Sequence, residues 1–496
     1  MKSSSTSALP LAEPVSHAKP ASVCLSPQLR RFVQPLGLVC ALVGSIASTT
    51  AAEIRDLWKE RLKSVVAIEF FTESELDRRP TVIFGTVIDK EGTVVFSGAA
   101  INVRSTPTEL KDFRVYLPGE NVRKYTGATY IGQDIFTTWH YLKVAESLWP
   151  SLVPITEFAG PARATTDVQL AQEVWGIALR GKDEDFTPYF LAGRVALMQT
   201  LPQRTAVCMD DVSGPGLPVF DSKGVFVGLG MSGFAQSYVQ VSQRNPGGEQ
   251  IALVNIGETS AFQLADEVLP YLNRRPLNVF GRSVPWFGWY GLQPTDPEVA
   301  AHLKIDIGVV VSEVLAGSPA EQSGLQPRDV VVAIDGKPLP RMKPDRVVVG
   351  YLVREIARRS VGDVVKVTVL RNNGERVDVA AKLTEEPKLL REAERKYFDK
   401  LGFTAREFVY GDGILRRAPV AEHSGVIAHF VKANSPAATA GLTTDDWIKE
   451  IDGTAIKSYQ DAVNQLSTIQ ADSSRAETVL LIRRGGDTQV LRIKLK

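Results

Sequence analysis

Ser213 and His140 are the residue types in this chain that could carry nucleophilic hydrolysis, with Asp134, Asp210 or Asp211 available to orient the imidazole. A serine attacks a carbonyl only when an imidazole takes its proton and a carboxylate holds that imidazole, so such a trio is defined by geometry. Ser213 lies in Val212 to Leu229, VSGPGLPVFDSKGVFVGL, whose Gly-Pro punctuation and Asp-Ser-Lys-Gly turn read as loop, strand, hairpin turn and strand. His140 is the only histidine between Glu53 and Tyr271, in the middle of a strand-like run where an imidazole is more often a packed or surface side chain, and a serine placed as Ser213 is more often a plain loop residue.

Other chemistries have less to stand on. The sequence holds no phosphate-cradling glycine loop, Cys/His zinc spacing or EF-hand loop, and His302, His423 and His429 show no metal-ligand spacing. No cofactor and no metal is expected. The carboxylates Asp183, Glu184 and Asp185 read as a solvated loop. Cys24 and Cys40 fall in the N-terminal segment, which leaves Cys208 as a lone, buried and inert thiol with no internal disulfide.

The elements that must position these residues fall into four parts. Residues 1–52 run from Arg30 and Arg31 through an apolar stretch, Leu36 to Ala47, to small residues ending at Ala52. Basic, apolar, then small is the order of a secretory signal peptide, and the apolar run is short for a membrane span, which needs about 20 residues. An exported, periplasmic or cell-envelope protein is expected, with membrane attachment only if the signal stays uncleaved. Residues 53–275 open with a short helix, Glu53 to Lys63, and continue as short apolar runs separated by turns, the pattern of an all-β barrel or sandwich. A net charge of +1 from 57 basic and 56 acidic residues gives no field to recruit nucleic acid.

Beyond Leu277 the chain repeats itself. Ser318-Pro319-Ala320, Gly324-Leu325, Asp329 and Ile334-Asp335-Gly336 recur as Ser435-Pro436-Ala437, Gly441-Leu442, Asp446 and Ile451-Asp452-Gly453, at a constant offset of 117 residues. A period this long means tandem modules, since solenoid repeats run to about 20–50 residues. Each proline can occupy the first turn of a short helix behind its serine cap, and each glycine sits where that helix ends. The modules are placed at 276–385 and 386–496, the second opening with a charged helical connector, Glu385 to Lys400.

The SPA…GL…D…IDG pattern resembles PDZ domains of the HtrA type, and Val212 to Leu229 resembles the nucleophile segment of HtrA/Deg proteases, GNSGGPLVNxxGxVVGI. The resemblance implies a mainly β chain: a trypsin-like double β-barrel followed by two PDZ-like α+β domains. Aligned on Gly224, it puts the nucleophile's place on Pro215; aligned on Gly85 and Gly92, it puts the catalytic histidine's place on Ala99; and TTWHYLKV puts the aspartate's place on Thr138. Proline lacks both a hydroxyl and the N–H that helps hold an oxyanion, and threonine cannot stabilise an imidazolium. No catalytic residue is therefore expected.

PDZ domains add a peptide as a strand to a sheet edge and hold its carboxylate on a glycine loop. In the first copy the resemblance assigns that loop to Phe287, Gly288 and Trp289, although Gly291 leaves its register open by about three residues; in the second it assigns Leu401, Gly402 and Phe403. Helices within Asp345 to Arg358, carrying Tyr351, Leu352, Arg354 and Glu355, and from Ser458 to Leu466, opened by a Ser458/Asp461 capping box, are expected to wall the grooves. The reading is an exported pseudoprotease that binds extended, unfolded or C-terminal peptide segments as scaffold, chaperone or regulator. The alternatives are an active serine endopeptidase using the displaced Ser213/His140 pair, and a structural subunit that oligomerises with itself or with active HtrA-like enzymes.

Overall fold

The computed structural model describes residues 53–496, apart from 99–100, 103–104, 161–167, 232–236, 242–249, 255–256, 282 and 496. The expected signal peptide and Ala99 lie outside the described residues.

A helix over 53–61, α1, leads into two closed six-stranded barrels. The first is built from β1 (Val65–Glu73), β2 (Arg78–Val87), β3 (Thr93–Ser97), β4 (Leu110–Tyr116), β5 (Thr126–Gln133) and β6 (Trp139–Val144). The second uses β7 (Glu173–Leu179), β8 (Pro188–Gln199), β9 (Thr205–Cys208), β10 (Pro218–Asp221), β11 (Phe226–Gly230) and β14 (Ala261–Leu264). A separate ribbon, β12 (Ser237–Val241) with β13 (Gln250–Val254), interrupts it. Around each barrel the first three strands run in order and the last three in reverse, β1-β2-β3-β6-β5-β4 and β7-β8-β9-β14-β11-β10, so one topology is used twice.

The period-2 alternation of strand side chains explains why so many strands are apolar on both faces. In β1, Val66, Ile68 and Phe70 point into the first barrel, while Val65 and Ala67 join the layer between the barrels with Trp175, Leu217 and Phe220. Each fully buried aliphatic side chain contributes about 1.5–3 kcal/mol. The hairpin Leu217 to Val227 behaves likewise: Val219 and Val227 fill the second barrel, Leu217 enters the layer between barrels, and Val225 is only half-buried. A register shift between Val219 and Phe220 separates those faces. Strands β5, β8, β9 and β14 carry Gly, Thr, Arg and Gln among their apolar residues and were not legible as strands.

After α2 (Ala265–Val268) come two modules of one design. The first holds β15 (Pro285–Trp286), β16 (Trp289–Tyr290), β17 (Gln293–Pro294), α3 (Pro297–His302), β18 (Val309–Val310), β19 (Glu313–Val314), α4 (Pro319–Gln322), β20 (Val330–Ile334), β21 (Lys337–Pro338), α5 (Val347–Ala357), β22 (Val364–Leu370), β23 (Arg376–Lys382) and β24 (Thr384–Glu385). The second holds β25 (Arg395–Phe398), β26 (Phe403–Glu407), α6 (Tyr410–Leu415), β27 (Val426–Val431), α7 (Pro436–Thr439), β28 (Trp447–Ile451), β29 (Thr454–Ala455), α8 (Tyr459–Ala471), β30 (Glu477–Arg484) and β31 (Asp487–Lys494). The caps act as their sequence requires: Ser318 Oγ accepts from Glu321 N, Ser435 Oγ from Ala438 N, and Ser458 Oγ from Asp461 N.

The expected helical connector is not formed. Glu385 ends β24, Leu390–Glu392 make one 3-10 turn, and Arg395–Phe398 are strand β25. Ala, Glu, Lys and Arg favour helix by only tenths of a kcal/mol per residue, and strand pairing to β26 outweighs that preference.

Candidate functional site

The cleft between the two barrels, about 310 Å³, is lined by Ser97, Thr138, Gly216, Met231, Tyr271 and Arg354 among others. Thr138 and the loop carrying Pro215 thus meet at one cleft. That loop is a tight turn: Leu217 N donates to Gly214 O at 3.0 Å, and Gly216, with φ +78°, follows Pro215. Proline then a positive-φ glycine is the signature of a type II turn. The turn uses up its own donors, since Gly214 N bonds Ile177 O at 3.0 Å and Gly216 N bonds Gly230 O at 2.8 Å. With Pro215 offering none, the backbone N–H groups from 214 to 217 all face protein carbonyls or do not exist. Thr86 Oγ1 pins the same turn to the first barrel by donating to Gly216 O at 2.8 Å.

The displaced pair is not assembled. Ser213 is fully buried, and its hydroxyl donates to Gly214 O at 3.1 Å and, more weakly, to Leu217 O at 3.5 Å. His140 is on β6 inside the first barrel, with Nδ1 2.8 Å from the Tyr130 hydroxyl and its ring 5.3 Å from that of Phe96. Burial, and then the Arg391 charge, hold the imidazole neutral, with its pKa lowered to about 3. Asp134 caps its own turn through Thr137 and meets Arg274, not His140. The Cys208 thiol is buried and pushed up to about 12 by that burial.

The two glycine loops share one local design. A Cβ on Gly288 (φ +97°) would lie 1.9 Å from Ser318 Cβ, and one on Gly402 (φ +78°) 2.1 Å from Ser435 Cβ. Leu315 N donates to Gly288 O and Lys432 N to Gly402 O, while Ala320 N meets Phe287 O and Ala437 N meets Leu401 O. These matched contacts fix the register of the first copy at Gly288. Gly291 instead kinks the strand between β16 and β17, facing Ser312.

Beyond the glycines the copies diverge. In the first, β15 turns away to pair with β24, and among the described residues β16 pairs only with β19. A groove of about 1060 Å³ opens beside it, walled by Trp286, Gly288 and Trp289 on one side and Val349, Val353 and Ile356 of α5 on the other. Arg354 and the exposed Val353 belong to that wall, whereas Leu352 is core and Tyr351 and Glu355 are not part of it. Phe287 is 2% exposed, so its side chain contributes the floor rather than a free surface. Sequence reading missed a third wall: Tyr410, Ile414 and Leu415 of α6 come from the second module, with the Tyr410 ring 5.7 Å from Trp286 and its hydroxyl donating to Ala316 O at 2.9 Å. The segment 412–424, which departs from the compact repeat pattern, is the signal that could have found it. It is anchored by Arg406, which donates to both oxygens of Asp412 at 2.9 and 2.8 Å.

In the second module Leu401 and Phe403 are fully buried, and the edge of β26 is already paired with β25. The first groove and the barrel cleft also share Phe136, Gln203 and Arg354. Arg354 of α5 bonds Glu267 at 3.2 Å and sits 4.5 Å above the Phe136 ring, where burial lowers its pKa. Among the described residues no group of three or more His, Cys, Asp or Glu is arranged to hold a metal ion.

Two PDZ-domain family models match the chain, one over residues 310–371 and a second over 411–495. A probable periplasmic serine endoprotease, DegP-like, from Chlamydia trachomatis is 27% identical over 198 residues, 40% of this chain and 36% of that protein. The DegP-like protein of Brucella suis is 22% identical over 291 residues, 56% of this chain and 49% of the relative. These matches span between a third and a half of the relatives' length. Putative protease Do-like 14 of Arabidopsis thaliana is 35% identical over 99 residues, 18% of this chain and 20% of its own. Among solved structures, an HtrA-type protease, AlgW, with a tripeptide aligns at 18% identity and a TM-score of 0.46, over 67% of this chain and 97% of that one. With PDZ models on both repeats and DegP-like proteins among its relatives, the chain is an HtrA-like protein, mainly β, in which two closed barrels precede two PDZ domains.

Proposed function

We propose that this is an exported pseudoprotease that captures extended or C-terminal peptide segments without cleaving them, acting as a scaffold, chaperone or regulator of envelope proteins. The observation that carries the reading is a contrast within one chain. The barrel cleft presents a Pro215–Gly216 turn whose neighbouring N–H groups are already bonded, while the first PDZ groove presents a strand edge that is unpaired among the described residues, beside an apolar wall.

Loss of one oxyanion donor alone costs about 10²–10³ in rate, and here nucleophile, donor and carboxylate positions are all altered together. A peptide adding to β16 would satisfy backbone groups on that edge and place its last side chain among Trp286, Val353 and Ile356. The periplasmic naming of the relatives and the order of residues 1–52 support export.

Two measurements test the reading. Purified protein should not turn over fluorogenic casein, and turnover abolished by Ser213→Ala would refute the pseudoprotease half. Fluorescence anisotropy with a C-terminal peptide library should find binders; a flat response across the library would refute the capture half.

A further inference from the structure

We infer that the second PDZ groove is filled by the chain's own segment Arg395–Phe398, which leaves the first groove as the receptor for peptides from outside. This deepens the peptide-capture reading, on which it rests for the first groove.

The segment stands where a bound peptide would. β25 runs antiparallel along β26, pairing Arg395 with Arg406, Lys396 with Ala405, Tyr397 with Thr404 and Phe398 with Phe403. The other edge of β26 belongs to β27, so no edge is left over. An antiparallel peptide ends its chain at the glycine loop, and β25 does the same, reaching Phe398 directly before the turn that contains Gly402. Phe398 is fully buried, its ring 6.1 Å from Phe403. Lys396, two residues back on the same face, reaches the far wall: its Nζ donates to Ser467 Oγ of α8 at 3.0 Å.

The glycine loop is spent as well. Gly402 N donates to Phe398 O at 2.7 Å, closing a five-residue turn over 398–402, and Lys400 ties that turn to the end of α8 through Gln470 Oε1 and Asp472 O. A free carboxylate arriving there would find Gly402 N taken. The first module differs at this one step, because β15 is drawn off by β24 and never folds back on β16.

The filled groove also anchors the module. On the opposite face of the hairpin, Arg395 Nη1 donates to Glu109 Oε1 of the first barrel at 2.6 Å and lies 2.9 Å from His429 Nε2, and Thr404 Oγ1 donates to Glu75 Oε1 at 2.6 Å. The second PDZ domain is thereby a docking module: it is fastened to the barrel and lends α6 as a wall to its neighbour's groove.

Hydrogen exchange on the full chain, followed by mass spectrometry, tests this. Amides of 395–398 and of 403–407, where β26 is paired on both edges, should exchange at least about tenfold slower than those of 289–290, where β16 is paired with β19 alone among the described residues. The probe is the synthetic octapeptide of residues 391–398, ending in a free carboxylate at Phe398. Added to wild type it should leave 403–407 unchanged; in Tyr397→Pro, 403–407 should exchange faster and the octapeptide should slow it again. Exchange of 395–398 at loop rates, or protection of 403–407 by the octapeptide in wild type, would overturn the inference. Should Tyr397→Pro fail to fold, the K396C/A405C double variant decides: an intramolecular disulfide on mild oxidation supports the filled groove, and its absence refutes it. Neither the wild-type exchange pattern nor the cross-link depends on peptide binding, so a failure of peptide capture in the first groove would be seen separately.

Discussion

Gly288 packs so closely on Ser318 that a methyl group at position 288 would reach within 1.9 Å of the serine Cβ, and Gly402 repeats the contact with Ser435 at 2.1 Å. In both places the backbone also adopts a positive φ that residues with a Cβ rarely accept. One small-to-small packing, used twice, sets where each glycine loop meets its module.

Gly288→Ala should therefore destabilise the first PDZ domain through left-handed strain of about 1–3 kcal/mol and overpacking of similar size. Peptide binding measured by anisotropy should fall with it. Adding Ser318→Gly should recover the packing part but not the backbone part, which a double-mutant cycle on urea midpoints would separate.

Pro215→Ser should not create a protease. The hydroxyl would sit on a turn whose flanking N–H groups bond Ile177, Gly230 and Gly214 carbonyls, with no imidazole bonded to it. Casein turnover should stay at background; turnover that appears with the serine would show that the turn opens in solution.

Stability should fall as the medium is acidified, in part through His140. Its folded pKa of about 3 lies below its ordinary value of 6.5, so the unfolded chain binds the proton more readily. This contribution is fully present above pH 6.5 and is lost as pH falls from there towards 3, by up to about 4 kcal/mol. Burial also lowers His429, to about 4, with the same sign. Urea midpoints measured at pH 7, 5.5 and 4.5 should show a shallower acid-side decline in His140→Phe than in wild type.

Asp412→Ala should be among the costliest changes in the second module. It would strand Arg406, which is 2% exposed and gives both of its terminal nitrogens to that carboxylate. Breaking such a buried pair from one side costs about 3–5 kcal/mol. Calorimetry should register the loss, and because α6 lends Tyr410 to the first groove, affinity there should weaken as well.

The sequence by itself determined what was local. Ser-Pro-Ala and Ile-Asp-Gly at a fixed offset imposed two capped modules, and a proline with a glycine behind it at 215–216 imposed a turn; neither needed a distant partner to be read. Only the tertiary structure decided which strand edges were filled. RKYF at 395–398 sits in a charged, helix-favouring run, yet it became a strand because β26 offered an unpaired edge and α8 a wall for Phe398. Ser213 and His140, similarly, could be paired on paper, but Ser213 is buried in the loop before β10 with its hydroxyl on Gly214 O, His140 is buried on β6 against Tyr130, and each side chain was claimed by its own neighbours. Propensity and spacing act over a few residues at tenths of a kcal/mol each, whereas edge pairing and burial act between segments far apart in the chain and carry more free energy, so they set the outcome wherever the two disagree.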